Sequence, residues 1–221
     1  MRYDVVRRAR FVRRLNRFTA IVRLEGGEET VHVKNTGRLG ELLVPEAAVV
    51  LAEAAAPGRK TAYDLIGVYR GGRLFNIDSQ APNKVVGEWL AGQGFDVIRP
   101  EYTYGQSRVD FYMEKGGRRY LMEVKGCTLD IGGVGYFPDA PTERGVRHLR
   151  ELTAALDEGY EACLAFVIQM AGVDHVEPYR ERHPAFADAC EEAEAKGLRV
   201  LHLTTRPAED SLEITTPPVF L

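Results

Sequence analysis

Through the first third of the chain, apolar and polar residues alternate with the period of two that places one face of a strand on a core. "FTAIVRLEG" and "ETVHVK" show it most clearly, and "VVLAEAA", "TAYDLIGVYR" and "RLFNID" follow. Between these runs stand Gly26-Gly27, Pro57-Gly58 and Gly71-Gly72, pairs suited to tight turns. Five or six short strands over residues 1–80 predict a small β-barrel, and both an OB-fold and an SH3-like barrel meet the description. Within it, "KNTGRLGELL" places a tight Asn35-Thr36-Gly37 turn between Lys34 and Arg38, fit either for phosphate contact or for a purely structural turn.

Near residue 80 the rhythm changes, which divides the chain into 1–80 and 81–221. Pro82-Asn83 precede a short helix with Val85, Val86, Trp89 and Leu90 on one side. "FDVIRPEY", "SRVDFYME" and "RRYLMEVKG" read as three strands, the last two joined at Gly116-Gly117, a pair suited to a type I′ hairpin. A loop, "CTLDIGGVGYFPDAP", leads to a helix from about Thr142 to Leu156 with Val146, Leu149, Leu152 and Leu156 in a stripe. "ACLAFVIQM" is nearly all apolar, as in a strand buried on both faces. The helix "AFADACEEAEAKG" and the strand "RVLHLT" complete an α-β-β-β-α-β-α-β order, which predicts an α+β mixed sheet flanked by helices.

Charge adds a polarity that periodicity does not carry. The net −3 conceals 14 Lys+Arg against 9 Asp+Glu in residues 1–80, and the reverse excess in the remainder. Residues 1–23 hold Arg2, Arg7, Arg8, Arg10, Arg13, Arg14, Arg17 and Arg23 against the single acid Asp4, a concentration that suits a polyanion such as DNA, duplex or single-stranded. Cys127, Cys163 and Cys190 are scattered and form no ligand motif, so reduced packing thiols are expected. No apolar run approaches the roughly 20 residues of a membrane span, and "MRYDVVRRAR" lacks a secretory apolar stretch. A cytoplasmic location is expected.

The candidate chemistry lies in "RVDFYMEKGGRRYLMEVKG". In a strand, Glu123 and Lys125 share a face. A two-residue turn at Gly116-Gly117 sets Asp110 opposite Glu123. Two facing carboxylates repel unless a cation lies between them, and Mg²⁺ or Mn²⁺ suits one or two carboxylates completed by water and phosphate. Lys125 beside them could orient or deprotonate a water that attacks a phosphodiester. The plainer reading is a surface ion pair, Lys125 balancing two acids.

This arrangement resembles the PD-(D/E)xK nuclease superfamily, which takes two acids and a lysine from the second and third strands of the same element order. Val109 stands where that pattern has proline. "KNTGRLGELLVP", "DSQAPNKVV", "SRVDF", "EVKGCTL", "FPDAPTERGVRHLREL" and "AFVIQM", in this order, resemble the sugar fermentation stimulation protein (SfsA) family. The resemblance implies an N-terminal OB-like domain and a C-terminal nuclease-like domain. It also implies DNA binding without strong sequence preference, with either nuclease activity or a regulatory role in sugar use without turnover. Glu88 on the first helix is where superfamily nucleases often place a further metal ligand. Arg108 either holds a phosphate or balances Asp110. Arg144 and His148, in a polar stripe with Arg147 and Glu151, stand where they could reach a DNA backbone. The barrel contacts expected for nucleic acid are Arg10, Arg13, Arg14, Arg17, Lys34 and Arg38. The tail "EITTPPVFL" is expected to pack on the barrel or on a second subunit, giving a homodimer.

Overall fold

The computed structural model describes residues 1–54, 58–105 and 107–220, so that Pro57 of the expected turn and Leu221 of the tail lie outside the described residues. Six strands occupy the first part: β1 (Val6–Asn16), β2 (Thr19–Leu24), β3 (Gly27–Val33), β4 (Ala48–Glu53), β5 (Tyr63–Arg70) and β6 (Arg73–Asn76). Their order is β3-β2-β1-β4-β5-β6, and a parallel pairing of β3 with β5 closes the first five into a barrel. The alternation seen in the sequence puts Phe11, Val22, Val31, Leu51 and Leu65 inside it, fully buried.

The second part begins with α1 (Ala81–Ala91) and three antiparallel strands, β7 (Val97–Tyr104), β8 (Ser107–Lys115) and β9 (Arg118–Cys127). Pro82 lies inside the first turn of α1 rather than before it, where its missing N–H has no intrahelical partner to lose. The segment expected as a loop contains a hairpin, β10 (Leu129–Ile131) and β11 (Val134–Phe137), turned by Gly132-Gly133. It gains a third strand from β13 (Val176–Pro178). Next come α2 (Glu143–Asp157), capped by the Thr142 hydroxyl, and β12 (Glu161–Ile168). Then α3 (Pro184–Ala195), β14 (Arg199–Pro207) and β15 (Leu212–Ile214) complete the main sheet. Its order is β15-β14-β12-β9-β8-β7, with β12 parallel to both neighbours and buried along all but its first residue. The fold is thus an OB-like barrel followed by a mixed sheet flanked by three helices.

All three cysteines are free and buried, and burial pushes each thiol up to about 12. The tail does not pack on the barrel. Phe220 lies against Trp89, Phe95 and Tyr120, and Trp89 Nε1 donates to the Thr216 carbonyl (3.0 Å), so the tail covers α1 and the main sheet. Among the described residues, no helix is long and apolar enough to cross a membrane.

Barrel and sheet are joined through buried polar groups. Gln169, following β12, donates through Nε2 to Asn76 Oδ1 (2.9 Å) and the Asp78 carbonyl (3.1 Å). Its own carbonyl accepts from the Asn76 N–H (2.9 Å). Asp78 is wholly buried, and its carboxylate accepts from Lys34 Nζ (2.8 Å), Tyr3 Oη (3.1 Å) and the Gln80 N–H (2.9 Å). Lys34 is therefore committed to neutralising a buried acid and does not project toward a ligand, contrary to expectation; only 14% of its side chain is exposed. Removing one partner of a buried ion pair strands the other charge, at a cost of about 3–5 kcal/mol. Lys34→Met is expected to lower unfolding stability by about that amount in urea titrations, and a loss under about 1 kcal/mol would show that the pair is not structural.

Candidate active site

The β8–β9 hairpin turns at Gly116 and Gly117, both at positive φ (55° and 78°), with Lys115 opposite Arg118. The ladder runs evenly to Phe111 opposite Met122 and then stops, so Asp110 and Glu123 come next on their strands. Beyond that point the Val124 N–H meets no strand carbonyl. Instead it donates to Asp110 Oδ2 (2.7 Å), while Asp110 Oδ1 accepts from Asn83 Nδ2 in the first turn of α1 (2.7 Å). A side-chain carboxylate thus stands in for a backbone acceptor where the strands part.

Glu123 is only 3% exposed. Its Oε1 accepts from Lys125 Nζ (2.6 Å) and lies 2.5 Å from His148 Nδ1 on α2. Arg144 Nε in turn donates to His148 Nε2 (3.2 Å). The ring thus bridges the two side chains, with Nδ1 facing Glu123 and Nε2 facing Arg144. Glu123 Oε2 is buried and has no hydrogen-bond partner among the described residues.

The two acids are pushed apart electrostatically. Burial raises the Asp110 carboxyl above its usual range, and the Glu123 charge raises it further, against the opposing bonds from Val124 and Asn83. For Glu123 burial also acts upward, but the His148 and Lys125 hydrogen bonds outweigh it and leave the group below the usual range. One site is ready to ionise and its neighbour resists, a pattern typical of functional carboxylate pairs. Among the described residues no three His, Cys, Asp or Glu side chains converge as a complete ligand set. Two carboxylates, one carrying a buried oxygen without a donor, fit a hard cation that keeps several waters.

Several expected contributors lie elsewhere. Glu88 binds the Met1 ammonium (2.6 Å); five residues beyond Asn83, at 100° per residue, it cannot share the side of α1 that faces Asp110. Asn83 takes that place, and only its position beside a first-turn proline marked it in the sequence. His148 faces inward, 6% exposed, because it neighbours Leu149 and lies four residues before Leu152 on the packed side of α2. It therefore touches Glu123 rather than solvent, and Arg144, though exposed, commits its Nε to it. Arg108 pairs with Glu101 (2.8 Å) rather than with Asp110.

In the barrel, Arg14 is the clearest correction. Its guanidinium donates to the carbonyls of Asn16, Arg17, Asn35, Gly37 and Arg38, at 2.6–3.1 Å. All five N–H groups are used, none is left for a phosphate, and burial lowers the group's pKa. Arg10 donates to the Glu46 carbonyl (3.1 Å). Arg7, Arg8 and Arg23 pair with Glu53, Glu209 and Glu46. Among the described residues, exposed Arg13, Arg17 and Arg38 have no acidic partner. By clamping the β1–β2 turn to residues 35–38, Arg14 sets Arg17 and Arg38 on one rim, beside the half-exposed Phe18. The aromatic that closes the arginine-rich stretch "RRLNRF" was the available signal for Phe18.

Family models match both parts of the chain: the SfsA N-terminal OB domain over residues 12–77, and the sugar fermentation stimulation protein RE domain over 80–211. The chain belongs to the sugar fermentation stimulation protein family. A homolog from Desulfitobacterium hafniense is 50% identical over 216 residues, covering 96% of this chain and 95% of its own. Another from Clostridium beijerinckii is 46% identical over 218 residues, covering 97% and 96%. The solved structure of Pyrococcus furiosus SfsA in complex with Ca²⁺ matches with a TM-score of 0.86 at 28% identity, over 97% of this chain and 95% of that one.

Because ionised Asp110 is disfavoured where it stands, Asp110→Asn should stabilise the metal-free protein. A carboxyl raised in the folded state contributes stability at low pH that is lost as pH rises through its folded value. The gain in Tm of Asp110→Asn should therefore be absent in acid, appear as pH rises above the ordinary carboxylate value, and level off once pH has passed the raised value of the folded state. A variant less stable than wild type at neutral pH in chelator would contradict the assigned electrostatics. Arg14→Met should cost about 2–4 kcal/mol of stability and Arg13→Met less than about 0.5, compared by denaturant midpoints.

Proposed function

We propose that the chain binds DNA through the arginine rim of its barrel, without strong sequence preference. We further propose that it hydrolyses phosphodiester bonds at Asp110, Glu123 and Lys125 with Mg²⁺ or Mn²⁺. The observation that carries this reading is the buried, unpartnered Oε2 of Glu123 beside a second carboxylate. A buried carboxylate oxygen without a donor is costly, and a cation held by Glu123 and Asp110 would compensate it. The Pyrococcus furiosus relative, solved in complex with Ca²⁺, supports a divalent ion in this family.

When bound, such a cation supplies Lewis acidity toward a phosphoryl oxygen and acidifies a water. The protein's own groups do the positioning. His148 and Lys125 fix Oε1 of Glu123, which leaves Oε2 as the oxygen available to a cation. Arg144 contacts His148 Nε2 and so helps hold the ring with Nδ1 toward Glu123. Lys125 Nζ, partly exposed, can exchange its bond to Glu123 for one to the attacking water or to a phosphoryl oxygen. Arg13, Arg17 and Arg38 hold the backbone as point charges that read no base.

Affinity for random-sequence DNA should fall steeply with salt, and each of Arg13→Ala, Arg17→Ala and Arg38→Ala should reduce the slope by about 1. Calorimetric titration with Mn²⁺ should give binding in wild type and none in Glu123→Gln. Cleavage of supercoiled DNA with Mg²⁺ or Mn²⁺ should drop by about 10²-fold or more in Lys125→Ala. Equal cleavage by both proteins would reject the role of Lys125. Salt-dependent binding with no cleavage in either would favour a regulatory protein of sugar metabolism that acts without turnover.

A further inference from the structure

Between the barrel and the sheet lies a cleft of about 330 Å³, at the lower end of the size of small-molecule sites. It adjoins the acid centre closely. Pro82, Gly126 and Thr142 on its wall directly precede Asn83, directly follow Lys125, and cap the helix that carries Arg144 and His148. Consecutive Cα atoms are about 3.8 Å apart, so a group in the cleft is within about one nucleotide of Asp110 and Glu123. On the barrel side the wall is Asn35-Thr36-Gly37, the segment that Arg14 ties to Arg17 and Arg38.

The lining says what would enter. None of it is Lys, Arg or His, and it holds the Asp139 carboxylate, so a phosphate would be repelled. Asp139 makes no side-chain hydrogen bond or ion pair among the described residues. Gln169, 2% exposed, is fixed by the two bonds of its amide nitrogen, and its Oε1 turns toward Gly126 with no donor among the described residues. A Cβ at position 126 would meet both that amide and Pro82 Cγ (2.9 Å), so glycine keeps this wall open. The cleft thus offers two acceptors, the Asp139 carboxylate and the Gln169 Oε1 held in place by its amide bonds, in a wall that also includes Tyr136, Pro82, Pro138 and Pro141. A planar, neutral ligand bearing N–H donors fits these features.

We infer that this cleft receives the base of an unpaired nucleotide, with Asp139 and Gln169 accepting from its exocyclic amino group. The substrate is then single-stranded or locally opened nucleic acid, since a stacked, paired base cannot reach such a pocket. This rests on the proposed nucleic-acid function and adds a base-reading contact to its phosphate contacts. Adenine, cytosine and guanine carry an amino donor and thymine does not, so thymine is the disfavoured base.

The test is fluorescence anisotropy in chelator with labelled oligo-dA, oligo-dC, oligo-dT and an abasic strand of equal length. Wild type should bind oligo-dA and oligo-dC about 10-fold more tightly than oligo-dT, and the abasic strand weakest. Asp139→Asn should erase most of the difference among bases while keeping the salt slope. Thr128→Leu, which fills the cleft from a wall outside the strands, should bring every base-bearing strand down to the abasic level. Circular dichroism of both variants must match wild type, and if both misfold, N⁶,N⁶-dimethylated oligo-dA, which lacks the amino N–H donors, tests the same contact from the ligand side and should bind like oligo-dT. Equal affinity of wild type for abasic and base-bearing strands, or a base preference unchanged in Asp139→Asn, overturns the inference. In either case a steep salt slope and Lys125-dependent cleavage would leave the proposed function standing, whereas failure of these strands and of a random-sequence duplex to bind would remove both.

Discussion

The structure around the acid centre follows from one constraint: a carboxylate, Glu123, sits in the interior of a central strand with almost no access to water. A charge there persists only if hydrogen-bonded or paired. Lys125, two residues on and on the same face, supplies one donor, and His148 supplies another from α2. The second requirement fixes the rotation of α2 against the sheet, so helix packing and carboxylate compensation are satisfied by the same turn. Neither donor reaches Oε2. Compensation is incomplete on the side where the β8–β9 ladder has already opened around Asp110.

A second set of polar contacts decides where the barrel stands relative to that centre. Gln169, Asn76 and Asp78 exchange hydrogen bonds across the junction, and Lys34 neutralises Asp78 from the barrel side. Because Lys34 leads directly into Asn35-Thr36-Gly37, the ion pair that secures the junction also anchors the loop that walls the cleft. Arg14 holds the far side of that loop by its carbonyls. Two cations counted by the sequence as phosphate contacts thus build the platform from which Arg17 and Arg38 project.

What the sequence disclosed, and what it withheld, follows from the range of the signals. Period-two alternation and paired glycines are local, so the barrel strands, the type I′ turn at Gly116-Gly117 and the register that follows from it were legible. The apolar run of β12 announced a strand with neighbours on both sides. The β10–β11 hairpin was missed because three-residue strands rich in glycine carry little periodicity, and their partner β13 lies far along the chain. Side-chain direction on a helix was legible only to within the width of a stripe: His148 falls at the border of the polar face of α2, and burial of Glu123 draws it inward. An arginine gives the same sequence signal whether it meets five carbonyls, as Arg14 does, or open solvent, as Arg13 does. Glu88 and the tail were misplaced for a related reason, since their partners, the Met1 ammonium and the aromatic surface over α1, come from remote parts of the chain.

The three cysteines carry a practical consequence. Each is buried, which pushes its thiol up to about 12, and the thiolate is the form that reacts. Toward alkylating reagents at neutral pH the folded chain is therefore silent. A single reporter attached through Arg38→Cys on the rim, or through an introduced cysteine at the cleft mouth, would be read against no background from the native thiols. Reactivity that emerged at Cys127, two residues beyond Lys125 on β9, would itself report opening of the sheet at that end.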